Sequence, residues 1–448
     1  MLETFTVAVL ILFFSCLGLI VFLQNRMFIF FHVVTFLIIL SIIDVFIPAI
    51  IWINFGDIDI PPWLDPLTNQ ELIWSILFYS VFYIIMILII LVTSRKNLQI
   101  FLLSFQKSFA PLKKRLKLFL LIIGGMFCIG LLIEIMNSGG LRQWIFDNFT
   151  VRFNPVVKDQ NLITRVFEFI PWRSMFNTLC FLGFFFRFKF NSPILYGLVV
   201  PIFGILFAIT TSFRGSIFSF LLGLLFMENL RIFIHNNLNK SCLYGRGRET
   251  IYKIKYIFFG FMAVIVFLNY GLLRSAYVNK QLDQSKTEIS IIYKILNQGS
   301  GLQGVSTIMR HYGQDVDFLN GKTYIDMLLL PIPRYIYKTK PEWYGVADIT
   351  TGMGYPKTTQ PAVSIPGEAY ANFGYLGLIF AIVYGLIFGL FLRFFKRKGG
   401  IYIALYPSVL IPVMFTANWM SFTGIMNMFF PTIFIAILLF TCNNKFRF

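Results

Sequence analysis

Four stretches of this chain carry residue types suited to chemistry on an anionic group. They are Arg214-Gly215-Ser216, Arg274, Pro333-Arg334 with Lys338 and Lys340, and Pro366-Gly367-Glu368 with Tyr370 close behind. Arginine offers a planar fork of donors that matches phosphate oxygens, and lysine adds a compact charge. Pro366 suits the first turn of a helix, where no amide donor is lost. Amides at a helix start also favour phosphate. Glu368 then falls in a first helical turn, either complementing the dipole or acting as a base that orients or deprotonates a hydroxyl. A single cation at a membrane boundary commonly just snorkels to the headgroups, so the convergence of the set matters more than any one member.

Metal chemistry is poorly served. Asp57/Asp59 and Asp315/Asp317 have a spacing that can hold a hard cation, but neither pair has an evident partner ligand. No metal is expected. His311 is expected to be a packed or surface residue rather than a catalyst. No zinc-protease, phosphate-loop or serine-hydrolase motif is present, and Asn148-Phe149-Thr150 is read as a chance sequon.

The elements that must position these residues follow from composition. Of 448 residues, 57% are apolar and 13% charged, and the mean hydropathy is +0.76. Soluble domains carry about 25% charged residues. A solenoid, a disulfide-stapled secreted domain and a disordered chain are excluded, and an all-α polytopic membrane protein is expected. Apolar runs long enough to cross a bilayer lie near 4–23, 28–53, 72–93, 117–136, 174–191, 193–211, 215–234, 255–273, 370–392, 401–418 and 424–442, about 11 spans. The first has no small-residue cleavage site after it and is read as an anchor.

Charge orients the spans. One set of alternate loops holds 22 Lys and Arg against two acids, while the opposite set holds 16 basic and 18 acidic residues. By the positive-inside rule the first set is cytoplasmic, the N-terminus outside and the C-terminus inside. The net charge of +18 therefore describes topology and contact with anionic lipid, with no nucleic-acid partner. None of the five cysteines falls in an external loop, so no disulfide is expected there.

Three regions result: 1–273, with spans one to eight and the external loop 137–173; 274–369, a large external loop; and 370–448, with the last three spans. The two halves do not repeat, which disfavours a transporter. Within the large loop, 284–298 has apolar spacings of three and four that predict an amphipathic helix. Residues 323–330 predict a second, stopped by Pro331 and Pro333. A run rich in Gly, Thr and Pro covers 345–366. Arg214, Arg274, Arg334 and Glu368 all fall at the outer membrane boundary on this map.

The chain resembles the bacterial O-antigen polymerases (Wzy), the oligosaccharide repeat-unit polymerases. The resemblance lies in Thr211-Ser212-Phe213-Arg214-Gly215, in Pro333-Arg334 followed by Lys338, Lys340 and Pro341, and above all in Ser364-Ile365-Pro366-Gly367-Glu368-Ala369-Tyr370-Ala371-Asn372-Phe373-Gly374. It implies a GT-C-like glycosyltransferase of the bacterial inner membrane with a periplasmic active site. A growing polysaccharide on undecaprenyl pyrophosphate would pass to the non-reducing end of a new lipid-linked repeat. No cofactor is implied. Glu368 and Arg274 would be catalytic, Arg274 by position alone. Arg214, Arg334, Lys338, Lys340, Tyr370 and Asn372 would bind substrate. The implied partners are undecaprenyl-pyrophosphate-linked oligosaccharides, membrane lipid and a chain-length co-polymerase, Wzz. An O-antigen ligase is the nearest alternative but would need a functional external histidine. A repeat-unit flippase would need paired halves and a central cationic cavity.

Overall fold

A computed structural model describes residues 2–24, 33–55, 68–94, 300–329, 346–355 and 363–398, together with 125, 128–133, 135–136, 138–144, 332, 406 and 421–422. Among the described residues the chain is mostly helical and forms no strand; a lone bridge joins Tyr312 and Val316. The named elements are α1 (Leu2–Gln24), α2 (Val33–Ser41), a π turn (Ile42–Phe46), α3 (Ile47–Phe55), α4 (Asn69–Thr93), α5 (Ser300–His311), α6 (Lys322–Leu328), α7 (Val346–Gly352), α8 (Ile365–Phe373), a 3-10 turn (Gly374–Gly377) and α9 (Leu378–Lys398).

The chain divides into two compact units. The first comprises Met1–Lys96, Thr287–Phe394 and Val413–Asn427, and holds every named element except the last residues of α9. The second comprises Asn97–Lys286, Phe395–Pro412 and Met428–Phe448. One run of its helical residues ends at Met136, where the fourth span is expected to end. The amides of Gly139 and Gly140 close that end on the carbonyls of Met136 and Ile135 at 3.1 and 2.9 Å.

Two stretches are long and apolar enough to cross a membrane, Asn69–Thr93 and Ile365–Phe395. Their side chains sort accordingly. On α9, Ala381, Tyr384, Phe388 and Leu392 are buried at helical spacing, while Ile379, Val383, Leu386 and Leu390 are exposed. On α4, Tyr79, Phe82, Tyr83, Met86 and Ile90 are buried, and Trp74, Val81, Leu88 and Val92 are exposed. Exposed apolar stripes of this kind suit contact with lipid or with another protein surface.

Local sequence explains most helix boundaries. The third expected span starts three residues early, at Asn69, because Thr68 and Glu71 form a capping box: the Glu71 amide donates to Thr68 Oγ1 at 3.2 Å and the Thr68 amide to Glu71 Oε2 at 2.8 Å. The second expected span is one helical path with a π turn in it. The Ile47 amide donates to the Ile42 carbonyl, and Pro48, which follows, has no amide with which to restore the register.

The ninth expected span, 370–392, is longer and broken. Helix α8 begins at Ile365, and the 3-10 turn separates it from α9. Gly374 holds φ at 58°, a left-handed conformation that glycine adopts without a Cβ penalty. A Cβ there would also meet Phe318 Cζ at 2.8 Å.

α9 crosses α4 through Gly385 and Gly389. A Cβ on Gly385 would lie 2.7 Å from Ile89 Cβ and 2.8 Å from the Met86 carbonyl, and one on Gly389 would collide with Thr93. Small residues four apart let membrane helices approach at backbone distance.

In the large loop, the segment expected to be helical at 284–298 lies outside the described residues, and a helix follows at 300–311. The second expected helix is present as α6 but stops at Leu328, before Pro331. The Gly, Thr and Pro-rich run contains the short helix α7, which its composition does not suggest.

Candidate functional site

The described part of the candidate site is built on α8. Ser364 caps it with extended geometry, and its Oγ accepts from the Gly367 amide at 3.3 Å. Pro366 follows in the first turn, as expected. Gly367 is there for proximity: a Cβ would meet Ile308 Cδ1 at 2.9 Å and Val305 Cγ2 at 3.6 Å, so it seats α8 directly on α5. Every residue from Ile365 to Asn372 is buried. α8 packs on α4, α5, α6 and α7, so this half of the Ile365–Phe395 stretch is enclosed by protein.

Glu368 is therefore fully shielded from water. The first turn is a favourable place for a carboxylate because the helix dipole opposes its charge. Burial there is costly unless the charge is compensated or has a task.

Two phenols join α6 to α9. Tyr384 on α9 donates to the hydroxyl of Tyr324 on α6 at 2.7 Å. The Tyr324 ring stacks on Phe380, with centroids 4.7 Å apart and planes 9° apart, while Tyr384 stacks on Phe422 at 4.1 Å. Burial pushes the Tyr324 phenol well above its ordinary value, and the Glu368 charge pushes it further, against the lowering effect of the Tyr384 hydrogen bond.

Asn372 holds the loop to α8. Its Nδ2 donates to Thr323 Oγ1 and to the Glu368 carbonyl, each at 2.8 Å, and its Oδ1 accepts from the Gly321 amide at 3.1 Å. Beside it, the amides of Leu319 and Asn320 donate to the carbonyls of Ala371 and Asn372 at 3.0 Å. The 319–323 segment thus satisfies the carbonyls that the break after Phe373 would leave bare. Asn372, expected to bind substrate, uses its side-chain amide for these three bonds within the protein. Tyr370 is also internal. Its ring meets Phe78 at 5.2 Å, Tyr375 at 5.4 Å and Phe318 at 6.0 Å, and it is 6% exposed.

α5 is anchored at its far end by Arg310, whose Nε and Nη2 bind Glu71 Oε1 and Oε2 at 2.7 Å each. Nearby, Lys322 Nζ lies 3.1 Å from Asp348 Oδ2. Burial raises the Asp326 carboxyl, and the Asp348 charge raises it further while Lys322 works against both. Tyr312 donates to the Ile349 carbonyl at 3.1 Å, and burial, then Asp348, pushes its phenol up to about 12. His311 faces Asp315 at 3.7 Å. Among the described residues no group of three His, Cys, Asp or Glu side chains could hold a metal.

The structure brings together Glu368, Tyr370 and Asn372. Arg214, Arg274, Arg334, Lys338 and Lys340 lie outside the described residues, as do Asp57 and Asp59. Sequence reasoning did not single out Tyr324, Tyr384, Arg310 or the Gly385/Gly389 pair. The glycine spacing and the Thr68/Glu71 capping box were readable signals; the pairing of two tyrosines 60 residues apart left none. Comparisons with protein-family models, curated proteins and solved structures return no match.

Proposed function

We propose that this chain is a membrane-embedded glycosyltransferase that polymerises polyprenyl-pyrophosphate-linked oligosaccharide repeats on the outer face of a bacterial inner membrane. The observation that carries the reading is the buried Glu368, set in the Pro-Gly-Glu stretch of α8 and enclosed by loop helices α5, α6 and α7. Outside the cytoplasm there is no nucleotide sugar, so the donor must bring its own leaving group. In the reaction the acceptor hydroxyl oxygen bonds to the anomeric carbon of the donor. The bond from that carbon to the pyrophosphate oxygen breaks, and its electron pair leaves with the lipid pyrophosphate. The hydroxyl proton passes to Glu368, which positions the attack as well as receiving the proton. Arg214, Arg274, Arg334, Lys338 and Lys340 are assigned to the charge that develops on the pyrophosphate.

The test is the lipopolysaccharide banding pattern after deletion of the gene. A core carrying one repeat, with the ladder restored by complementation, supports a polymerase. Loss of every repeat refutes it and points to a ligase if polymer accumulates on the outer face, or to a flippase if single repeats remain inside. Glu368→Gln should lose about 10²-fold or more in polymerisation while inserting normally; a full ladder from it would remove Glu368 from the chemistry.

A further inference from the structure

Helix α5 is amphipathic in sequence yet buried on both faces, since every residue from Gly301 to Ile308 is shielded from water. Most of its polar groups have an evident use. Ser306 Oγ donates to the Leu302 carbonyl at 3.0 Å, and Arg310 is bound to Glu71. Gln303 differs. It is only 5% exposed, and among the described residues its Nε2 has no hydrogen-bond partner. A buried amide donor left unpaired costs stability, and native interiors hold few of them.

Its place on the helix supplies a reason. Gln303 stands in the first turn of α5. Side chains on a helix lean toward its N-terminus, which carries the Gln303 amide back over the opening backbone amides. Those amides have no partner within the helix and lie at the positive end of its dipole. Gly301 and Gly304 flank the position. Glycine is a poor helix former, but without a Cβ it leaves the backbone open to close approach. Donors gathered at a helix start are complementary to a phosphate oxygen, whereas a cation would meet the wrong end of the dipole.

The turn is also held by contacts that do not use this amide. Arg310 fixes the far end of α5 on α4, and Val305 and Ile308 receive α8 at Gly367, next to Glu368. Resting on the polymerase reading, we propose that the first turn of α5, with the Gln303 Nε2 donor, is a binding site for a phosphate oxygen of the polyprenyl pyrophosphate. It adds neutral donors to the cations assigned above, on the helix that seats the Glu368-bearing α8. A phospholipid headgroup carries the same phosphate chemistry, so the test must separate the two sources.

The experiment uses the purified full-length protein in detergent, radiolabelled farnesyl pyrophosphate as the probe and phosphatidylglycerol as competitor. Gln303→Leu keeps similar volume and removes the donor. The wild type should bind the probe and retain it against excess phosphatidylglycerol, and the variant should bind it about tenfold or more weakly. Without probe the variant should melt at or above the wild-type temperature, because it no longer buries an unpaired amide. Equal affinity in the two proteins, or ready displacement by phosphatidylglycerol, overturns the proposal and leaves the polymerase reading standing. A variant that melts well below wild type overturns it too, since the amide then has a structural partner. A full lipopolysaccharide ladder in the deletion strain overturns both.

Discussion

Asn372→Ala separates two accounts of the most recognisable motif in the chain. In the structure Asn372 makes three side-chain hydrogen bonds, all within the protein. Truncation strands the Gly321 amide and Thr323 Oγ1, both in buried residues. A buried polar group left without its partner costs about 1–3 kcal/mol, so the two together give roughly 4 kcal/mol. Alanine is the better helix former and returns about 0.6 kcal/mol, which leaves a net loss of roughly 3 kcal/mol. The assay is unfolding of the detergent-solubilised protein, together with hydrogen exchange at the amides of 319–323. The expected result is a large drop in stability and a loss of protection confined at first to that segment. Wild-type stability with a raised KM for lipid-linked repeats would refute the clamp and return Asn372 to the substrate.

Three further outcomes are expected. Gly389→Leu should abolish monodisperse folding, since even a Cβ at 389 collides with Thr93 and overpacking costs about 1–3 kcal/mol or more; normal elution on size exclusion would refute the close helix crossing. A double-mutant cycle on Arg310→Met and Glu71→Gln should give a coupling of about 1 kcal/mol, because the bidentate pair is partly exposed, 21% and 31%; additive effects would show that the pair does not anchor α5. Burial, then the Asp348 charge, holds the folded Asp326 carboxyl above its ordinary value, so the folded state binds the extra proton and stability falls as pH rises through that window. Asp326→Asn should therefore unfold at higher temperature than wild type at pH 7, and the gain should vanish as pH falls toward the ordinary aspartate range; a gain that persists in acid would show that charge is not its cause.

Much of α4 and α9 was legible in the sequence, because the requirement that places them is local. A helix in lipid satisfies its own backbone, so an apolar run of sufficient length declares itself without reference to the rest of the chain. The start of α4 was readable in the same sense, since Thr68 and Glu71 cap one another across three residues. So was the first turn of α8, where Ser364 and Pro366 stand at the positions a helix start favours. The π turn in the second span was not, because it depends on which carbonyl the Ile47 amide reaches. Nor was α5, whose buried face takes its meaning from the surfaces of α4 and α8.

Composition and hydropathy pointed to the helical character and the two candidate membrane helices seen among the described residues, and residue order alone carried the motif that holds Glu368. Only the tertiary structure decided that Glu368 is shut away from water, that Asn372 faces inward, and that Arg310 meets Glu71 across 239 residues and Tyr384 meets Tyr324 across 60. The physical reason is the range of the forces involved. Helix formation and burial in lipid are settled within a few turns of chain. The partner of a polar side chain in a dry interior is settled by which distant segment closes over it, and no local pattern encodes that choice.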